Sequence, residues 1–137
     1  MDVSNSAYQA GLQFIHDYNR CFYERDIDRL KGLYSAQGFT VFWDNHAGCD
    51  SDRLEDHFDK LADFFANEKD TESGTIEELL IEDVQVHASA NTLIVSAMLR
   101  YASVPKPGVR STFVLTQEDA IWKAVHIHHS FDPNEQN

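Results

Sequence analysis

Trp122-Lys123-Ala124-Val125-His126-Ile127-His128-His129-Ser130 is the stretch whose reading decides the fold. Read as the last strand of a sheet, its successive side chains point to opposite faces. His126, His128 and Ser130 then share one face, and Val125, Ile127 and His129 share the other. Two histidines stand together on a polar face, while a third lies in line with apolar residues. His129 is therefore the leading candidate for a functional polar group in an apolar site.

The same parity runs upstream. Strands are expected from roughly Leu79 to Ala88, Thr92 to Val104 and Arg110 to Gln117, separated by Ser89-Ala90-Asn91 and by Pro105-Lys106-Pro107-Gly108. Leu93, Val95, Ala97, Leu99 and Tyr101 fall on one face with Ser111, Phe113 and Leu115. The other face mixes Arg100, Arg110, His126 and His128 with Ile94, Met98 and Val114. The apolar face has to be covered by helices, because nothing else in the chain can cover it. A mixed face of this kind often meets another subunit. A homodimer through the sheet face carrying Arg100, Arg110, His126 and His128 is the expected assembly.

The helices come first in the chain. Ser4 or Ser6 can cap a helix whose apolar positions are Tyr8, Leu12, Ile15, Tyr18 or Asn19, and Phe22. Asp26 caps a second, short helix through Leu30, Leu33 and Tyr34, and Gly38 breaks the chain. Phe39 to Asp44 reads as a strand from its β-branched and aromatic residues. Asp52 with Glu55 resembles a capping box, and the helix it opens carries Leu54, Phe58, Leu61, Phe64 and Phe65 at helical spacing. Asn67 to Thr75 reads as a loop, and Asp132 to Asn137 as a frayed tail.

One domain over residues 1–137 is expected, ordered from about residue 8 to 133, with 134–137 as tail. The apolar share of 42% argues against wholesale disorder. A formal charge of −12 repels phosphate backbones and anionic membranes, so nucleic-acid and membrane partners are not expected. No apolar run approaches the roughly 20 residues of a membrane span, and the start lacks a signal-peptide pattern. Cys21 and Cys49 fall in no metal-ligand spacing, which suits free thiols in a reducing cytoplasm.

Taken together, a helix-rich first half, a following antiparallel sheet and the ending W-x-x-x-H-x-H-x-S resemble the SnoaL-like branch of the NTF2-like superfamily. Arg110-Ser111-Thr112 matches an Arg-x-Thr that members often carry before the last hairpin. Tyr23 to Leu30 looks like the family's helix-to-helix corner. Val125 to Ser130 is similar to the association (hub) domain of calcium/calmodulin-dependent protein kinase II. The resemblance covers about Tyr8 to Pro133. Asp50 and Ser51 depart from it, standing where a glycine usually precedes the third helix. What it implies is an α+β cone, a curved antiparallel sheet wrapped around N-terminal helices, with an apolar pocket. Members use that pocket for catalysis or ligand binding, and fold alone does not choose.

Three chemistries compete for these residues. As a binding module, the cone would hold a small apolar or carboxylate ligand, with Tyr18, Phe22, Trp43, Leu99, Tyr101 and Phe113 as walls and His129 at the polar end. As an isomerase, dehydratase or cyclase, it would use His129 as base and Tyr18 or Tyr101 as donor to a developing oxyanion. Asp44 is a second candidate base, although its parity sets it apart from Phe39, Val41 and Trp43, and the family's acid base has no counterpart that can be placed. As a metal site, His126 and His128 have the spacing of a two-histidine clamp, but no third ligand is in register. No resident metal or cofactor is expected. The plainest reading of His129 is an inert, hydrogen-bonded histidine at the pocket mouth.

Overall fold

Alternation along the last strand is interrupted once, and the interruption decides which side chains reach the interior. The computed structural model describes residues 3–43, 50–67 and 78–135. Its helices are α1 (Val3–Glu24), α2 (Ile27–Lys31) and α3 (Leu54–Asn67). Its strands are β1 (Thr40–Trp43), β2 (Leu79–Ser89), β3 (Thr92–Tyr101), β4 (Val109–Glu118) and β5 (Ile121–Phe131). They form one open sheet in the order β1-β5-β4-β3-β2, with β1 parallel to β5 and the other pairs antiparallel.

Between β4 and β5 the register slips: Val114 lies opposite His126, but Leu115 lies opposite Ala124. Val125 is the extra residue of a β-bulge, which reverses parity from one side to the other. Beyond it, Ile127 and His129 are buried, as alternation requires. Before it, Ala124 occupies the inward position expected of Val125, which is only half-buried. A similar slip between Glu82 and Gln85 bends β2, with Asp83 at φ 55°. β3 stops at Tyr101 rather than Val104, because Val104 N–H turns back onto the Tyr101 carbonyl at 3.2 Å.

α1 covers the inner face of the sheet, rotated from the expected stripe. Gly11, Phe14, Ile15, Tyr18, Asn19 and Cys21 are buried, while Tyr8 is exposed and Leu12 and Phe22 are half-buried. Gly11 lies on the buried side of the rotated helix. A Cβ there would lie 2.7 Å from Val86 Cγ2 and 2.9 Å from Val95 Cγ2, so the helix seats itself on β2 and β3 through the missing side chain. Gly11→Val should therefore destabilise the fold by about 1–3 kcal/mol through overpacking against stiff valines. An unchanged urea midpoint would show that the helix does not lie this close. Asn19 meets the start of β2, its Nδ2 donating to the Leu79 carbonyl at 3.1 Å.

Several local expectations shift by a residue or more. α1 begins at Val3, so Ser4 and Ser6 lie inside it rather than at its cap. Asp26 does cap α2, its carboxylate accepting from Arg29 N–H at 3.1 Å. In α3 the first bond runs from His57 N–H to the Arg53 carbonyl, one residue out of step with an Asp52–Glu55 box. Ser51 instead donates to Asp56 at 2.7 Å. The tail is docked at least to Glu135, whose two oxygens accept from Arg100 Nη1 and Nη2 at 2.9 and 3.1 Å. Glu135 also accepts from Gly108 N–H at 2.8 Å, and the Arg100 guanidinium holds its carboxyl at about 2. Asp44, the loop from Asn45 to Cys49, residues 68–75, and the side chains of Trp43, Phe64 and Phe65 lie outside the described residues.

Candidate functional site

His129 follows the β5 bulge and faces the helices at 6% exposure. Its strand partner on β4 is Ser111, and Ser111 Oγ lies 2.7 Å from His129 Nδ1. The Phe113 ring stands edge-on to the imidazole with centroids 6.0 Å apart. Burial, with smaller contributions from His128 and His57, pushes the His129 imidazole down to about 3. It is neutral at physiological pH.

A second buried histidine comes from α3. His57 is 7% exposed, on the helix face that carries Leu54, Phe58 and Leu61. Its Nε2 lies 3.1 Å from Tyr34 Oη. Burial pushes it down to about 4, helped by Lys60 and opposed by Asp56. Tyr34 is positioned by a bridge between the end of α2 and β5. Ser35 N–H donates to the Ala124 carbonyl at 2.8 Å, and Ala124 N–H donates to the Leu33 carbonyl at 2.7 Å. The Tyr34 hydroxyl also pairs with that of Tyr18 on α1, and burial holds both phenols above their usual range.

Five chain segments thus bring five neutral polar groups into one apolar interior: Tyr18, Tyr34, His57, Ser111 and His129. Rings enclose them, with Tyr18 to Phe113 at 5.0 Å and Tyr34 to Phe39 at 4.7 Å. Each hydroxyl donates one proton, so the Tyr18–Tyr34–His57 chain has two polarities. In one, His57 donates to Tyr34 and Tyr34 to Tyr18, which leaves the Tyr18 proton for another acceptor. In the other, Tyr18 donates to Tyr34 and Tyr34 to His57. Such a chain can present either a donor or an acceptor at Tyr18.

The residues picked from sequence are partly gathered here. Tyr18, Leu99, Phe113 and His129 are buried in the interior. Phe22 is half-buried against Tyr18, with ring centroids 4.8 Å apart. Tyr101 is 42% exposed at the end of β3, within electrostatic reach of Tyr18. Trp43 is aligned with His129 across the β1–β5 pairing. Sequence reasoning missed Ser111, Tyr34 and His57 as site residues. Parity had already put Ser111 on the inner face. His57, three residues after Leu54 and four before Leu61, interrupts an apolar stripe and could have been noticed.

The outer face of the sheet has a different character. A concavity of about 420 Å³ is lined there by Ser96, Met98, Arg110, Thr112, His128 and Ser130, among others. Phe42, 46% exposed on β1, stands edge-on to His126 and His128 at 5.4 and 6.2 Å. His126 Nδ1 lies 2.7 Å from Thr40 Oγ1. Among the described residues, no three His, Cys, Asp or Glu side chains gather as a metal ion would need. Among them, no helix is long and apolar enough to cross a membrane.

Residues 12–133 match the family described as SnoaL-like domain. No curated protein matches the chain by sequence. Among solved structures it is similar to a proposed dehydratase of the NTF2-like family from Streptomyces avermitilis, with a TM-score of 0.76 at 15% identity over 93% of this chain and 97% of that one. It is also similar to an NTF2-like protein of unknown function from Pseudomonas putida KT2440, with a TM-score of 0.75 at 15% identity over 98% and 95% of the two chains. The CaMKII hub of S. rosetta follows at 0.65 and 20% identity, over 90% and 95%. At these identities the likeness is one of fold: α+β, with N-terminal helices against an open five-stranded sheet.

Proposed function

Because the chain belongs to the SnoaL-like domain family, we propose that it binds a small, mainly apolar molecule, or one ending in a carboxylate, between its helices and the inner face of its sheet. The observation that carries this reading is the buried pair of neutral histidines, His129 fixed by Ser111 and His57 joined to Tyr34. Buried polar groups are costly in an apolar interior, and perturbed titratable groups clustered there mark functional sites. In this reading His129 meets the polar end of the ligand. Tyr18, Phe22, Leu99 and Phe113 form the walls, and Tyr101 forms the rim.

Native mass spectrometry of the purified chain tests it. A retained small molecule is expected, and His129→Gln should weaken its binding about tenfold, the value of one good hydrogen bond. A chain that retains nothing, with a His129→Gln variant indistinguishable from it in every ligand titration, would sink the proposal.

A second reading, acid–base catalysis in the same interior, is supported by the Tyr18–Tyr34–His57 chain beside His129. A neutral imidazole has a free lone pair for a proton next to a carbonyl, but one pushed down to about 3 is a weak base, so this reading leans on the phenol at the end of the chain as donor to a developing oxyanion. The similarity in fold to a proposed dehydratase is in keeping with it. Under this reading His129→Gln abolishes turnover and leaves binding largely intact. A pure binding protein has no turnover to lose.

The outer face is proposed to join two copies of the chain. Phe42, Leu80 and Ile94 are exposed on it, around Arg110, His126 and His128, while Arg100 at its margin is tied to Glu82 and Glu135. Burial and the neighbouring His128 hold the His126 imidazole below its usual range, so it is neutral at pH 7.5. Acidification adds positive charge beside Arg110 on both copies. The dimer should dissociate more readily at pH 5.5 than at pH 7.5 in size-exclusion runs at equal concentration. A stable monomer at micromolar concentration and pH 7.5 would end the idea.

A further inference from the structure

We infer that the interior site selects uncharged ligands, carbonyl or hydroxyl compounds, and rejects carboxylates at neutral pH; this rests on the pocket reading above and narrows it. The polar groups that the fold buries are neutral ones. Among the described residues, the buried polar residues outside the tyrosines are Asn19, Ser35, Ser51, His57, Ser111 and His129, and no Lys, Arg, Asp or Glu is buried as a whole residue, Arg25 at the α1–α2 corner having its Nε out of solvent. This holds although the chain carries 11 basic and 23 acidic residues. The cation nearest in its effect on His57 is Lys60, and it is engaged elsewhere. Its Nζ lies 3.2 Å from Asp56 and donates to the Asp50 carbonyl, in a side chain that is partly exposed.

A carboxylate brought into such an interior loses its hydration and meets no compensating cation. That cost far exceeds what neutral hydrogen bonds return. It can bind only with a proton, carried in on the ligand or taken up by an imidazole. The titratable groups that face the interior are Tyr18 and Cys21 from α1, Tyr34 from the segment after α2, His57 from α3, and His129 from β5. Tyr101 acts from the end of β3, and Lys60, Asp56 and His128 act from outside. Both phenols stay protonated and both imidazoles resist protonation, so none of them supplies a charge at neutral pH. What they do offer is a set of neutral donors and acceptors. Serine, tyrosine and neutral imidazole pair with a carbonyl or a hydroxyl without any change of charge.

Matched ligands separate the cases. Acetophenone and cyclohexanone, paired with benzoate and cyclohexanecarboxylate, would be titrated against the full chain by saturation-transfer NMR at pH 7.5 and 5.5. Each titration would be repeated with Arg110→Gln, because Arg110 lines the outer concavity and can hold anions there. The ketones should bind equally at both pH values. The carboxylates should bind at least 30-fold more weakly than the ketones at pH 7.5 and gain up to about 100-fold by pH 5.5, the change expected for uptake of one proton over two pH units. Carboxylate binding as tight as ketone binding at pH 7.5, unchanged at pH 5.5 and unchanged by Arg110→Gln, would overturn the inference and leave the pocket reading standing. Failure of all four compounds to bind at millimolar concentration would overturn the pocket reading, and the inference with it.

Discussion

Lowering the pH from 7.5 to 5.0 is expected to cost the folded state about 4 kcal/mol, measured as the change in unfolding free energy from urea titrations. Most of the effect comes from two side chains, with His126 acting in the same direction. His129 and His57 are neutral when folded because burial pushes their imidazoles down to about 3 and about 4. In the unfolded chain each titrates near 6.5. Between these values the unfolded state holds a proton that the folded state does not, so stability rises with pH. It is fully present above about pH 6.5 and falls by up to about 1.4 kcal/mol per histidine for each unit below. Over the 1.5 units down to pH 5.0, two histidines give about 4 kcal/mol, out of a total that is typically 5–15 kcal/mol. Carboxylates do not mask the effect. The Glu135 ion pair contributes above the ordinary carboxylate range and is lost only as pH falls toward about 2. Replacing either histidine with glutamine should halve the slope. Stability that stays level from pH 7.5 to 5.0 would mean that neither imidazole is buried as described.

Phe113→Ala is the substitution with the largest expected effect. The ring is completely buried and packs edge-on against Phe14, Tyr18 and His129, with centroids 5.9, 5.0 and 6.0 Å away. It therefore touches the helix, the strand and the polar cluster at once. Truncation of a buried phenylalanine costs about 3–5 kcal/mol in lost transfer energy and residual cavity. For a chain of this size that lowers Tm by about 10–17 °C. Phe113→Leu keeps most of the volume and should cost much less. Calorimetry of the two variants distinguishes a packed interior from a loosely filled one, in which both would melt close to the parent.

The strands were legible because alternation over eight or more residues is a strong pattern, and the inward placement of His129 followed from it. Val125 was not legible. A bulge adds a residue without a signature in composition, so the parity rule assigned Val125 the place that Ala124 takes. The rotation of α1 escaped for a related reason. Gly11 contributes no apolar side chain, and a reading that counts apolar residues passes over a position where the helix comes close against Val86 and Val95. Tyr34 and His57 became site residues only through tertiary contacts. One is held by a bridge to Ala124, the other by a helix from a separate part of the chain, and no local spacing links them. The docked tail was equally hidden, since a single glutamate among polar residues gives no sign of the guanidinium it will meet.

Val125 also separates the shape of this sheet from its chemistry. The pairings on either side of it, Leu115 with Ala124 and Val114 with His126, would join without a gap if it were absent. Every other occupant of the strand would keep its present side, and only the bend would go. β2 repeats the arrangement, with Asp83 and Val84 set against the single residue Ala97. Each of these one-residue insertions adds a local bend to its strand. Loss of either insertion would remove a bend without rewriting which side chains look in and which look out.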